Sequence, residues 1–118
     1  MKIGDVRIYK VSKNAKEDYR RNVKGNEHTE DDQIRLKLAR NIYLATEEKL
    51  SAFKKVYKYG SLHITTYFDW VINIKNYQPV PKEWRFNKKA YFRVTSLLEI
   101  KDNKFESKKF VKSYLNKG

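Results

Sequence analysis

Two alternating sets of side chains between residues 62 and 74 limit the possible folds of this chain more than any other pattern. Successive side chains of a β-strand point to opposite faces of a sheet, so a period of two is typical of a strand with one buried face. The run is long for one strand, which predicts a bend or a bulge within it. The face expected to be buried carries Leu62, Ile64, Thr66, Phe68, Trp70, Ile72 and Ile74, and the other carries His63, Thr65, Tyr67, Asp69, Val71, Asn73 and Lys75.

The first 44 residues contain weaker patterns. Residues 3–11 have the composition of a first strand, and the almost wholly polar residues 13–33 predict a long loop with one helical turn near its start. Residues 34–44 alternate with period two, which favours a half-buried strand. A helix over residues 32–57 is the competing interpretation.

Residues 46–59 have the sequence signals of a helix at both ends. Thr46 is a suitable N-cap, and Glu47 and Glu48 would lie in the first turn, where negative charge favours the positive end of the helix dipole. Lysines crowd the end of the segment and Gly60 follows it, as is typical of a helix C-terminus. Apolar residues recur at helical spacing, namely Leu50, Phe53, Val56 and Tyr57.

The last forty or so residues predict a strand and then a helix. Residues 90–100 alternate again, and Val94 and Leu98 are expected in the same core as Phe68, Trp70 and Ile72. Asn103 would cap a basic C-terminal helix. The expected fold is α+β, a small and mostly antiparallel sheet of about four strands with two helices, the last one C-terminal and basic. Residues 1–118 are expected to form a single domain.

Composition excludes several kinds of site and compartment. The chain has no cysteine, so disulfides, thiolate zinc sites and cysteine nucleophiles are excluded, and a reducing, cytoplasmic location is expected. The first residues lack the apolar stretch of a signal peptide, and no apolar run approaches the roughly 20 residues of a membrane span. We expect no cofactor, no metal and no membrane partner.

The charge balance indicates a polyanionic partner. Lysine and arginine number 27 against 14 acidic residues, a net charge of +13. Such an excess is easiest to explain if phosphates normally neutralise it. An AT-rich genome would also raise the lysine, asparagine and tyrosine content, but it would not explain the shortage of acidic residues. The charge therefore predicts nucleic-acid binding, with both ends of the chain as the basic surfaces.

Three basic clusters and one sheet face are the candidate contacts. The C-terminal helix offers lysines at helical spacing, and Arg20 and Arg21 lie beside Tyr19. The loop before the last predicted strand interleaves cations with Trp84 and Phe86, a combination that suits single strands. The predicted sheet face combines tyrosines with basic residues, as in RNA-binding domains that stack bases. The candidate binding residues are Arg20, Arg21, Arg85, Lys88, Lys89, Lys104, Lys108, Lys109, Lys112, Tyr67, Tyr91 and Arg93.

The function that these patterns favour is non-enzymatic binding of RNA or single-stranded DNA. One alternative is a metal-dependent nuclease, because Asp69 with Glu99 and Lys101 resembles the acid plus Glu-x-Lys core of restriction-type nucleases, in which carboxylates hold a metal. That resemblance covers only those three positions. No carboxylate stretch has the ligand positions of a calcium loop.

Two further alternatives remain open. His63, Tyr67 and Arg93 could form a metal-free ribonuclease, since such groups can move a proton and stabilise a phosphorane. The chain could instead bind an acidic surface of a host protein, with the same charge. Its size and its lysine, asparagine and tyrosine bias suggest a viral or mobile-element origin.

Overall fold

The computed structural model describes residues 1–101, where three helices accompany a five-stranded mixed sheet and a separate two-stranded ribbon. The α+β class is therefore confirmed, with more strands and helices than expected. The helices are α1 (Lys13–Asn22), α2 (Asp31–Leu44) and α3 (Lys88–Leu97). The strands are β1 (Lys2–Ile3), β2 (Val6–Arg7), β3 (Lys10–Val11), β4 (Thr46–Lys49), β5 (Lys54–Tyr59), β6 (Leu62–Tyr67) and β7 (Trp70–Asn76).

The sheet is an antiparallel meander with one parallel strand added. The spatial order is β3-β7-β6-β5-β4, in which β4 to β7 pair antiparallel and β3 pairs parallel to β7. The first expected strand is divided into three short ones, of which β1 and β2 form the separate ribbon. Gly60 has a φ of 59° in the two-residue turn between β5 and β6, a conformation that glycine adopts without steric cost.

Two helices occupy segments for which the sequence predicted a loop and a strand. The Ser12 hydroxyl accepts a hydrogen bond from the Ala15 amide (3.1 Å) and begins α1 inside the expected loop. The Asn87 side chain accepts from the Ala90 amide (3.1 Å) and begins α3 where a strand was expected. Both caps satisfy amides that a helix leaves unpaired. The strand prediction for residues 90–100 was wrong.

Residues 34–44 form most of α2, so the strand prediction there was wrong as well. The helix lies between two apolar clusters and is buried on two sides. Ile34, Leu38 and Ile42 pack in the cluster beneath the sheet, whereas Ala39 packs in a second cluster with Val94. Because apolar residues are needed on both sides, the helix lacks the single stripe that normally identifies one. The competing helix interpretation found the element but extended it too far.

The segment expected to be a helix over residues 46–59 is the hairpin of β4 and β5. Glu47 and Glu48 form cross-strand ion pairs with Lys55 (2.8 Å) and Lys58 (2.7 Å). The charges that favoured a helix dipole are thus used in a sheet, where diagonal neighbours of opposite charge stabilise the pairing.

The long alternating run divides into β6 and β7 around a two-residue turn. Tyr67 pairs with Trp70, so the turn of Phe68 and Asp69 places Trp70 on the face opposite to that of Ile64, and only after a bulge does the even-numbered Ile74 return to the covered face. Ile72 is then the extra residue of a bulge, because Thr65 pairs with Asn73 and Thr66 with Val71. The expected burial of Phe68, Trp70 and Ile72 was wrong, since they are 53%, 43% and 38% exposed.

The remaining predictions have mixed outcomes. Val94 and Leu98 are buried as expected, and Tyr67 is 47% exposed. The predicted C-terminal helix with Lys104, Lys108, Lys109 and Lys112 lies outside the described residues. Within residues 1–101, every helix is too short or too polar to span a bilayer.

Candidate nucleic-acid interface

The five-stranded sheet has one covered face and one open face. Helix α1 packs against β7 and α2 against β5. The side chains beneath these helices form the larger core cluster, which includes Tyr57, Ile64, Val71 and Ile74. Because directly paired residues project from the same side of a sheet, the strand register assigns every other position to the opposite face.

That opposite side is called the open sheet face below. None of its side chains is buried among residues 1–101, and each is either half-buried or exposed. Its rows run across the strands from β7 to β5, with Lys10 of β3 extending the row of Tyr67 and Trp70, and Thr46 and Glu48 of β4 extending the other two. The open sheet face consists of Lys10, Thr46, Glu48, Lys54, Val56, Lys58, His63, Thr65, Tyr67, Trp70, Ile72, Asn73 and Lys75.

The open sheet face has an excess of positive charge. It carries four lysines and one carboxylate, Glu48, which is paired with Lys58 (2.7 Å). For Lys10, Lys54 and Lys75, no carboxylate of the described residues lies within ion-pair distance. The amine of Lys10 instead lies 5.6 Å from the centre of the Trp70 ring. Three mobile cations are therefore available to an anionic partner.

Exposed rings occupy one end of the same face. Tyr67 and Trp70 are directly paired across β6 and β7. The Phe68 ring in the turn lies 4.7 Å from the Tyr67 ring and stacks on Phe53 of the β4–β5 loop with 4.6 Å between ring centres. Apolar rings in water are unfavourable unless something covers them, so this cluster is typical of a binding surface.

His63 lies on the central strand β6, at the end of the open sheet face away from Tyr67, and is half-buried. Its ring packs 4.5 Å from that of Tyr77. Burial lowers the pKa of the imidazole below its usual value, nearby Lys58 lowers it further, and Glu48 offsets part of this. The face therefore keeps a neutral imidazole near neutral pH, which suits packing more than proton transfer.

Two of the sequence-predicted arginines lie beside carboxylates of the chain itself. Arg20 pairs with Asp31 and donates to the Thr29 carbonyl (3.0 Å), which ties the loop between α1 and α2 to the helices. Arg21 lies 3.6 Å from Asp18 and is otherwise exposed. These two residues lie on α1, whose packing against β7 is on the covered side of the sheet.

The basic loop before α3 forms a separate surface. Arg85 donates to the Lys82 and Trp84 carbonyls (2.7 and 3.1 Å). Lys88 and Lys89 are exposed in the first turn of α3. Trp84 packs edge-on against Tyr59 of the covered side (5.4 Å), so the expected stacking platform in this loop faces the protein.

Tyr91 and Arg93 belong to α3, so their predicted position on the sheet face was wrong. Tyr91 is 3% exposed and lies beneath the guanidinium of Arg40 at 4.2 Å. Arg93 donates to the Tyr43 hydroxyl (2.8 Å), which also bonds to Asp5. Among the proposed ribonuclease residues, only His63 and Tyr67 share a strand face.

The two carboxylates and the lysine proposed for a metal-dependent nuclease also lie on unexpected elements. Asp69 is in the β6–β7 turn, and Glu99 follows α3 with a φ of 53° instead of ending a strand. The Lys101 amide donates to the Gln33 side chain (2.8 Å). No group of three or more metal-binding side chains occurs in the part of the chain that the structure describes.

The sequence predicted a sheet face with tyrosines and cations, but most residues of the open sheet face were not among those predicted. Trp70 and Ile72 were assigned to the core because the turn and the bulge were not recognised. The spacing of Lys54 and Lys58 was interpreted as a helix end. A signal of the turn was present in the sequence. Phe68 and Asp69 are not β-branched and interrupt this run of β-branched residues, and two residues are enough for a hairpin turn.

Comparison with known proteins gives a family and one described relative. Residues 9–97 match the family described as YorE. The chain is 31% identical over 117 residues to the SPbeta prophage-derived uncharacterized protein YorE of Bacillus subtilis (strain 168). The match covers 91% of this chain and 94% of that protein. No solved structure matches the chain.

Proposed function

The chain belongs to the YorE family, and we propose that it binds single-stranded nucleic acid across its open sheet face. The observation that carries this proposal is the combination of Lys10, Lys54 and Lys75 with the exposed rings of Tyr67 and Trp70 on one uncovered surface. Cations follow a phosphate backbone while exposed rings stack on bases, and both are required for a strand without a partner.

The exposed rings of the open sheet face favour single strands over duplexes. In a duplex the bases are stacked on one another, and a ring standing on a sheet cannot reach their faces. An unpaired strand can turn its bases toward the rings of Tyr67 and Trp70 and its phosphates toward the lysines. The relative is named as prophage-derived, and a small strand-binding protein is compatible with that origin.

The first experiment measures affinity and strand preference together. Fluorescence anisotropy with labelled single strands and duplexes of one sequence, as DNA and as RNA, is expected to show binding that is tighter for single strands. Affinity should fall as salt rises, because displaced counterions drive the association. Repeating the measurement with magnesium and running the products on a denaturing gel tests cleavage at the same time.

Two lysine variants locate the binding surface. The first changes Lys10, Lys54 and Lys75 to Gln, and the matched control changes Lys82, Lys88 and Lys89 of the loop and α3. Each removes three exposed positive charges. The first should reduce the slope of log affinity against log salt by up to about 2, given roughly 0.7 per lost phosphate contact on a single strand. The control should leave the slope close to that of the wild type.

The opposite pattern would contradict the proposal. If the control variant lost affinity and the first did not, binding would depend on the basic loop and α3, as the sequence alone suggested. A chain that ignored every nucleic acid but associated with an acidic protein would favour the host-protein alternative. Cleavage that required magnesium would favour the metal-dependent nuclease alternative, and cleavage of RNA without magnesium would favour the metal-free one.

A further inference from the structure

A cleft lies at the end of the sheet that carries the exposed rings, between the β4–β5 loop, the β6–β7 turn and the N-terminal ribbon, and it opens on the covered side of the sheet, because Tyr57 of that side lines it. Its volume is about 370 Å³, and its walls include Arg7, Phe53, Lys55, Phe68 and Asp69. This volume is within the roughly 300–1,000 Å³ that small-ligand sites occupy. The Phe68 ring joins the two surfaces at the end of the sheet, since it contacts Phe53 of the cleft and Tyr67 of the open sheet face, so a strand that leaves the open sheet face there can turn into the cleft.

The cleft holds one cation and one carboxylate that do not neutralise each other. Arg7 lies over the Tyr9 ring (4.8 Å), and no carboxylate pairs with it in residues 1–101. The Asp69 carboxylate has no hydrogen-bond or ion-pair partner within the same residues, although its backbone carbonyl accepts from the Lys10 amide (2.9 Å). Lys55 differs from both, because it is paired with Glu47.

We propose that this cleft takes one nucleotide of the bound strand and prefers guanine. The inference rests on the proposed function. It adds one position that distinguishes between bases to a binding surface whose other contacts do not depend on the base sequence. Arg7 supplies a charge for a phosphate, and the exposed rings of Phe53 and Phe68 supply an apolar wall for a base.

The selectivity follows from the carboxylate. Asp69 can only accept hydrogen bonds when it is ionised. Guanine alone presents two adjacent donors, N1–H and N2–H, on its Watson–Crick edge, so one carboxylate can accept both. Adenine and cytosine present an acceptor next to a single donor, and the acceptor would face the carboxylate with like polarity. Thymine and uracil offer one donor between two acceptors.

The test compares strands that differ in one base. Labelled oligothymidine carrying a single guanosine at its first, central or last position is compared with the same strands carrying adenosine or inosine. At one of these positions, guanosine should bind about 5- to 150-fold more tightly than adenosine, the range of one good bidentate base contact. Inosine lacks the N2 amine and should fall between the two.

Two variants assign the preference to its residue. Asp69→Asn should abolish the guanosine preference while affinity for plain oligothymidine is retained, and asparagine is well tolerated in turns. Asp32→Asn makes the same charge change on an exposed site of α2 and should keep the preference. Arg7→Gln should weaken all strands alike, because phosphate contacts carry no base identity.

The outcomes separate this inference from the proposed function. Equal affinity for all bases, a preference for another base, or a guanosine preference that survives in Asp69→Asn would overturn the inference while strand binding stood. Failure of the wild type to bind any strand would overturn both.

Discussion

The strained backbone of Phe68 gives a prediction about stability that can be tested by its sign. Phe68 has a φ of 54° in the turn between β6 and β7. An L-residue in this left-handed region is destabilised by roughly 1–2 kcal/mol, whereas glycine adopts it freely. Phe68→Ala and Phe68→Gly remove the same ring contacts with Phe53 and Tyr67. They differ only in the Cβ atom that causes the strain.

The magnitude follows from two opposing effects. Glycine gives the unfolded chain more conformational freedom, which ordinarily makes it about 0.4–1 kcal/mol less stable than alanine at the same position. Relief of strain at Phe68 acts in the other direction and is larger, roughly 1–2 kcal/mol. We therefore expect the free energy of unfolding of Phe68→Gly to exceed that of Phe68→Ala by up to about 1.6 kcal/mol.

Urea unfolding followed by far-UV circular dichroism measures the difference, provided the slopes of the two transitions agree. Ala52→Gly is the control, because Ala52 is exposed in the neighbouring loop and is absent from the positive-φ residues. Glycine should destabilise there. If Phe68→Ala proved the more stable of the two Phe68 variants, the argument from strain would be refuted. Both Phe68 variants should lose strand affinity equally, because both lack the ring.

Two further predictions concern the open sheet face. Trp70→Leu keeps an apolar side chain on β7 but removes the stacking ring, so single-strand affinity should fall about 5- to 150-fold with little change in the urea midpoint; unchanged affinity by anisotropy would remove Trp70 from the interface. The pKa of His63 is lowered from 6.5 in the folded chain, so the unfolded chain binds more protons below that pH and the free energy of unfolding should fall as pH drops through this window. His63→Gln should flatten that part of a urea-unfolding series between about pH 7 and pH 5, and an unaltered profile would show that another group is responsible.

The strands and helices could be predicted from sequence only where one face alone is buried. Helix α2 failed this condition, because Leu38 and Ala39 are adjacent in sequence and pack into different clusters. Its apolar residues therefore alternate as well as they recur at helical spacing. The caps at Ser12 and Asn87 were readable signals of the other two helices, and they were missed because polar segments were interpreted as loops.

The hairpin of β4 and β5 shows a second reason why the prediction failed: the same charge pattern can stabilise either a helix or a pair of strands. Glu47 and Lys55 are eight residues apart and would satisfy a helix dipole at opposite ends. In the structure the same residues meet across two strands. Only the register between β4 and β5 decides between these possibilities, and register depends on partners that a single segment does not contain.

For the candidate site, the sequence indicated which kinds of side chain to expect, but not which residues lie on the open sheet face. The sequence predicted a sheet face that combines rings and cations, and Tyr67 lies on the open sheet face of the structure. Tyr91 is buried in a helix instead, and Trp70 lies on the face because the two-residue turn before it pairs it with Tyr67. One turn and one bulge thus decide which aromatic residues can reach a partner.

The ends of the sheet restrict the ways in which any partner can approach it. The outer strand β4 is exposed along its whole length and carries side chains of both charges, Glu47, Glu48 and Lys49. At the other border β3 has only two residues before Ser12 begins a helix. Charged and very short border strands discourage another chain from joining by backbone pairing. Recognition by strand addition, a common mode for extended peptides, is therefore disfavoured, and a ligand is directed across the strands, where side chains alone determine what binds.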